Sequence, residues 1–370
     1  MTHALQQAAI ALPRALAPTV RTAAAVAHLG SKAATVAHIA DASHIVEAAP
    51  IADAKAGALR IGLLGNGELS WGSQMIHDRL LERGHVPVYI PFEHFAADAA
   101  GGITSAGVPV PRLDALMVRV GGKMTDEGML ALRRIDATGV PLLSDPDALE
   151  LARSKWSIAT TLKAAGLPHP ETALITKANT GADVRAALQT FDDGRTPLVI
   201  KPDGDMGGHG VVFQETSSQV SMRSVADALM DGNTRTKLVA QEWMKEGTGS
   251  DLRAYFVRRP DGTIHIPELG IERTGEAGKG QANITSGGSW APQQLDSKIR
   301  EMARTGADRF GLDSGSVDFV KGPNGHTVIE VNAAAGIDPE ITAAVGPLDH
   351  MLADLAVDAA QRGHVNRTVA

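Results

Sequence analysis

The chain has 370 residues, enough for two or three domains at roughly 150 residues each. Its formal net charge of −7 argues against a broad nucleic-acid surface, and an apolar content of 44% suits a globular protein with a sizeable core. The absence of cysteine excludes disulfide scaffolds, Cys-ligated zinc, iron–sulfur clusters and thiol nucleophiles, which leaves oxygen and nitrogen ligands.

Residues 1–57 are Ala-rich and carry no acid before Asp41, while Arg14, Arg21 and Lys32 are present. Such a start fits an organelle transit peptide, a loose or helical extension, or an upstream start codon. The working expectation is an extension on a cytoplasmic protein. Ordered structure is expected from Leu59, where Leu59–Leu64 reads as a buried strand running into Gly65-Asn66-Gly67. A helix over 71–83, a strand over 85–90, a strand over 114–118, a helix over 124–138 and a short strand at 141–143 follow. This alternation predicts a small α/β domain with parallel strands over residues 58–145. A helical segment over 147–166 contains Arg153-Ser154-Lys155. A strand at 173–176, a helix at 181–190 and the strand Leu198–Lys201 come next. Strands and turns then dominate to about 335, with helices near 218–230 and 293–310, and a last helix covers 347–361. No uninterrupted apolar run approaches the ~18 residues of a membrane span.

Three segments carry chemistry. In the first, two strand-like runs flank Gly322-Pro323-Asn324-Gly325 and form a hairpin. A turn centred on Asn324 sets Asp318 opposite Glu330, with Cβ atoms ~5 Å apart, and Asn332 shares their face. Val317, Phe319, Ile329 and Val331 then face a core. Like charges placed opposite one another repel, and a divalent cation removes the repulsion. Two carboxylates and an amide oxygen are hard ligands suited to Mg²⁺. A solvated hairpin face with chance acids is the plain alternative.

In the second segment, Leu198–Lys201 ends in a lysine, and the glycine-rich stretch Asp203–Gly210 precedes another strand. Glycines let backbone N–H groups approach phosphate oxygens, and a lysine adds charge. It is not a P-loop, because no Gly-Lys-Ser/Thr follows. A mobile glycine hairpin would look the same. The third segment joins Leu238–Met244, a strand entering a loop, to Ser250–Phe256, a strand with Asp251 and Arg253 on one face. The acid can hold a ribose hydroxyl and the arginine a phosphate or carboxylate, although a surface ion pair reads alike.

In order, these segments resemble the ATP-grasp ligase superfamily, and most closely its RimK-type branch (ribosomal-protein glutamate ligase), with likeness to bacterial glutathione synthetase. The resemblance covers roughly residues 110–340. It implies an ATP-grasp fold of mixed α/β and α+β class, with a small N-terminal α/β domain and two α+β lobes clasping ATP. The lobes are expected at about 146–195 and 196–362. It implies that Lys155 and Lys201 meet the ATP phosphates and that the loop with Asp205, Gly207, Gly208 and Gly210 closes over them. It further implies that Gln241, Glu242, Trp243 and Met244 form the adenine hinge and that Asp251 is the ribose-side acid. Arg253, Arg273 and Asn283 are implied as catalytic residues that bind the phosphoryl group, the carboxylate or the acyl phosphate. Asp318, Glu330 and Asn332 are implied as ligands of Mg²⁺, or of Mn²⁺. The branch usually has an arginine where this chain has Gln281, and small polar residues where it has Ala333-Ala334-Ala335.

The chemistry implied is ATP-dependent amide formation through an acyl phosphate, with glutamate or a similar amino acid as one substrate and an amine, peptide or protein as acceptor. Neither a nucleic acid nor a membrane is expected as a partner, and homo-oligomers are common for this fold. A kinase-like phosphotransferase and a nucleotide-binding regulator with little turnover are the rival readings. Arg119, at the end of the strand Leu116–Val118, is a candidate substrate contact or a structural arginine.

Overall fold

The computed structural model describes residues 57–369, apart from 122, 205–209, 232–236, 277–281, 283 and 285–286; side chains are described up to 363. The N-terminal extension, Asp205, Gly207, Gly208, Gln281 and Asn283 therefore lie outside the described residues.

Strand β1 (Arg60–Gly65) leads into α1 (Trp71–Glu82) and β2 (Val86–Pro91). A small antiparallel unit of β3 (Phe95–Ala97), β4 (Ile103–Ser105) and β5 (Val108–Pro109) follows, where no element was expected. Then come β6 (Ala115–Val118), α2 (Asp126–Asp136) and β7 (Leu142–Leu143). The sheet order is β2-β1-β6-β7, and every pair is parallel, as the alternating pattern predicts. Its strands read as unbroken apolar runs because both faces are covered. Helix α1 is capped by Ser70, which accepts from the Ser73 N–H, and buries Ile76 and Leu80 one turn apart.

The segment expected as one helix over 147–166 is two: α3 (Pro146–Arg153) and α4 (Lys155–Ala164). They part at Ser154, whose extended backbone ends the first and whose hydroxyl caps the second by accepting from Ser157 N–H. Next come β8 (Thr172–Thr176), α5 (Thr180–Thr190), β9 (Leu198–Pro202), β10 (Val212–Gln214), α6 (Gln219–Met230) and β11 (Lys237–Glu242). These strands form an antiparallel sheet in the order β10-β9-β11-β8. Helices α5 and α6 cover it through Val184, Ala187, Met222 and Ala226 against Ile175, Leu198 and Ile200. The lobe boundary expected near 195 falls inside this sheet, because β8 pairs with β11 across it.

The third sheet holds β12 (Ser250–Arg258), β13 (Ile264–His265), β14 (Leu269–Thr274), β15 (Ser289–Gln294), β16 (Ser314–Gly322) and β17 (Gly325–Asn332). Its order is β15-β14-β12-β16-β17, with β13 on β12. Helix α7 (Ser297–Phe310) backs it. Residues 293–296, expected as the start of that helix, instead end β15 and the cap, because Asp296 accepts from Ile299 N–H and starts the helix there. Helices α8 (Pro339–Val345) and α9 (Leu348–Val369) complete the chain. Apolar residues of α9, including Leu352 and Ala356, join a core with Leu63 and Ile76 of the first sheet and its helix and Val257 of the third sheet. Arg79 of α1 donates to the buried Asp349 of α9 at 2.7 Å, and Arg83 donates to Asp354 at 2.7 Å. The first and third sheets therefore share one interior. Among the described residues, no helix is long and apolar enough to cross a membrane.

Candidate active site

The third sheet sets charged side chains in rows on one face. Arg253 of β12 pairs in register with Asp318 of β16, and Asp318 with Glu330 of β17. Asp251 pairs with Arg273 of β14, and Tyr255 lies in line with Ser316 and Asn332. The period-two alternation puts Leu252, Ala254, Phe256, Val317 and Phe319 on the other face, in the core.

The turn is not centred on Asn324 as expected. Gly322 pairs with Gly325, so Pro323 and Asn324 alone make it, and Phe319 pairs with Val328 rather than Ile329. A β-bulge at Ile329 restores the offset, so Asp318 faces Glu330 all the same. Val328 takes the core place expected for Ile329, which is only half-buried.

Asp318 is fully buried, and both of its oxygens are occupied. Arg253 Nε donates to Oδ1 at 2.8 Å, Arg253 Nη2 to Oδ2 at 2.6 Å, and Arg273 Nη2 to Oδ2 at 2.8 Å. Ser316 Oγ at 3.3 Å and Asn332 Nδ2 at 3.2 Å also donate to it. Burial alone would raise this carboxyl, but the two guanidiniums outweigh it and hold it at about 2. Arg273 also grips Asp251 with both ends of its fork, at 2.6 and 2.7 Å. Burial and the Asp318 charge nevertheless push Asp251 up to about 6. Two guanidiniums thus offset the acids, where the sequence pattern pointed to a cation alone. The donor set still suits a hard cation: Asp318, Glu330 and Asn332 lie on one face of paired strands, with oxygen donors only.

Lys201, at the end of β9, is held differently. Its Nζ donates to Gln241 Oε1 at 2.8 Å, a neutral partner. Gln241 Nε2 donates to His169 Nε2 at 3.1 Å and to Thr172 Oγ1 at 2.9 Å. His169 Nδ1 lies 2.8 Å from the Val328 carbonyl, so the tautomer that fits carries its proton on Nδ1. Burial brings His169 down to about 4, which keeps it neutral. Burial and then the Lys155 charge bring Lys201 down to about 8, against the pull of Glu330. Gln241, expected at the adenine, is thus buried and spends its amide on this chain.

Lys155 opens α4. Asp203, just past β9, ties that helix start to the glycine-rich loop. Its backbone carbonyl accepts from Lys155 N–H at 3.2 Å, and its carboxylate accepts from Trp156 N–H at 2.8 Å and from Ser154 Oγ at 3.0 Å. Gly210, at the far end of the loop, adopts φ +72°, a conformation that favours glycine, and a Cβ added there would press on the Pro202 ring. Glu242 ends β11, and its N–H donates to the Glu171 carbonyl at 2.9 Å. Trp243 packs at a tilt of 53° against Phe213 with ring centres 4.9 Å apart, and its indole N–H donates to Thr248. The Met244 sulfur packs beside Gly322, so this stretch reaches the hairpin turn.

The structure thus gathers Arg253, Arg273, Asp251, Asp318, Glu330 and Asn332 on one sheet face and joins Lys201 to Gln241. Sequence reading missed His169, which acts on a partner 72 residues away and lies in no motif that marks it, and it gave Asp203 of the glycine-rich stretch no role of its own, because its partner is 47 residues away.

The family model described as the RimK-like ATP-grasp domain matches residues 152–346. A "probable alpha-L-glutamate ligase" of Enterobacter sp. (strain 638) is 29% identical over 283 residues, covering 76% of this chain and 89% of that protein. A "ribosomal protein bS6--L-glutamate ligase" of Shigella boydii serotype 4 (strain Sb227) is 28% identical over 283 residues with the same coverage. The solved RimK domain protein ATP-grasp from Sphaerobacter thermophilus DSM 20745 shares the fold, with a TM-score of 0.58 and 17% identity over 80% of this chain and 99% of that one. The chain therefore belongs to the RimK-like ATP-grasp family and is an ATP-dependent ligase that forms carbon–nitrogen bonds.

Proposed function

We propose that the protein transfers the γ-phosphoryl of ATP to a substrate carboxylate and passes the resulting acyl group to an amine. One substrate is glutamate or a similar amino acid, and the other is an amine, peptide or protein. The observation that carries this reading is the row Arg253–Asp318–Glu330, with Lys201 placed to feel both Glu330 and Lys155. One guanidinium and two carboxylates stand side by side there, and no nucleophilic hydroxyl is required.

Lys155 and Lys201 bind the phosphates and offset the charge that builds on their oxygens during transfer. Arg253 and Arg273 hold Asp318 ionised and present N–H groups to a carboxylate or acyl phosphate beside it. Asp251 keeps Arg273 in place. Asp318, Glu330 and the amide oxygen of Asn332 would hold Mg²⁺, which when bound supplies charge neutralisation at the phosphates. Most of the catalytic work is positioning, as in phosphoryl transfer generally.

The test is an assay of the purified full chain with ATP, Mg²⁺ and a panel of amino acids and amines, following ADP, phosphate and product mass. Free phosphate with a new amide is the expected result. A stable phosphorylated product without an amide, or no ADP release with any pair, would sink the proposal.

A further inference from the structure

Where the first sheet ends against the third, one cation has no carboxylate partner among the described residues. The first sheet's strand order, β2-β1-β6-β7, has the connections leaving β1 and β6 in opposite directions, and ligands of open α/β sheets bind at the carboxyl ends of such neighbours. At that edge β1 runs into Asn66 and β6 runs into Arg119. Arg119 N–H donates to the Leu64 carbonyl at 2.7 Å, which fixes the residue beside the end of β1.

The Arg119 side chain reaches the loop that follows Asn332. Its Nη2 donates to the Ala335 carbonyl at 2.9 Å and packs under Gly72 in the first turn of α1. Its Nε is buried with no hydrogen-bond partner, and so is Asn66 Oδ1. Among the described residues no carboxylate pairs with Arg119, whereas Arg79, Arg83, Arg253 and Arg273 each have one. Burial lowers Arg119 to about 10, and only the Tyr255 hydroxyl group opposes this. A buried charge without a counter-charge is costly, and a fold keeps one where a ligand completes it.

The position suits the same reaction. Tyr255 O–H donates to the Gly336 carbonyl at 3.1 Å and lies in line with Asn332 on the catalytic face. Ala335 is three residues from Asn332, a span of at most ~10 Å, within reach of an extended dicarboxylic amino acid. The loop between them, Ala333-Ala334-Ala335, has no polar side chain with which to hold a charged group.

We propose that the Arg119 guanidinium is the receptor for the unreacted carboxylate of the amino-acid substrate, at the edge where the first sheet meets the Asn332–Gly336 loop. This rests on the ligase reading above. A planar fork with a free Nε matches a carboxylate better than any single point charge.

The experiment uses the full chain with ATP and Mg²⁺ and compares L-glutamate with its two mono-amides, glutamine and isoglutamine, by KM and by thermal shift. In the natural protein at least one amide should bind at least 30-fold more weakly than glutamate. Arg119→Gln should raise the KM for glutamate by a similar factor and flatten that discrimination, with ATP affinity unchanged within twofold. Arg119→Lys, which keeps the charge and loses the fork, should fall between. If the natural protein turns over glutamate but binds both amides as well as the acid, the proposal fails without help from any variant. It also fails if Arg119→Gln and Arg119→Lys keep the discrimination. If no amino acid in a wider panel drives ADP release in the natural protein, the ligase reading itself falls, a result distinct from both.

Discussion

Two groups of buried cations in this protein are balanced in opposite ways. Arg253 and Arg273 sit on buried carboxylates with both arms engaged. Lys201 sits on a neutral amide. The arginine cluster is charge-balanced without a ligand, and under the proposed function it would meet one through N–H groups that the carboxylates do not take up. The lysine has only a neutral partner there, so under the proposed function a phosphate would satisfy it directly. On that proposal the charges of one sheet serve stability, and those of the other serve affinity.

Asp318→Ala should separate the two most sharply. It strands the buried Arg253 guanidinium, while Arg273 keeps Asp251, so denaturant unfolding should show a loss of about 3–5 kcal/mol, with turnover abolished. A loss below about 1 kcal/mol would mean that the cluster is not a stabilising unit. Lys201→Met comes next: ADP release should fall by about 10³-fold or more, in the range seen when a cation on a transferring phosphoryl is lost. Its melting temperature should hold or rise, because a buried charge without a carboxylate is removed. A marked drop would show that Lys201 is structural.

Gln241→Met sharpens the comparison further. Through Lys201 it should weaken ATP binding by about tenfold, in line with about 1–2 kcal/mol for a charged hydrogen bond, and leave adenosine binding alone. Equal weakening of adenosine would restore the adenine contact expected from sequence. The smallest effect is in pH. Lys201 loses its proton as pH rises through about 8, so the Kd for ATP should be flat below that and climb above it by up to about tenfold per unit. Lys201→Arg should remove the climb; a climb that persists would have another source.

Much of this was legible in the sequence, but unevenly. Parallel strands such as β1 and β6 announce themselves as apolar runs, and the β16–β17 hairpin shows its two faces by alternation. The pairing of Asp318 with Glu330 was reached through a wrongly centred turn, because a bulge leaves no mark in the residue pattern. The break at Ser154 and the true start of α7 depend on side-chain caps that compete with a continuing helix. The strands of the small β3–β5 sheet are only two or three residues long, too short to stand out from a loop. His169 was out of reach altogether: a histidine between two prolines carries no signal until Gln241 and Val328 are brought to it.

The bulge at Ile329 also bears on how the hairpin can change length. Strand β17 carries one residue more than its pairing requires, and the bulge absorbs it. Removing Ile329 would straighten the strand and leave Glu330 and Asn332 on their present side, since Val328 and Val331 stay buried either way. One further residue inserted beside it would exhaust that slack and turn the Glu330 and Asn332 side chains into the core. Over evolutionary time this hairpin is therefore open to a deletion at one site and closed to an addition there.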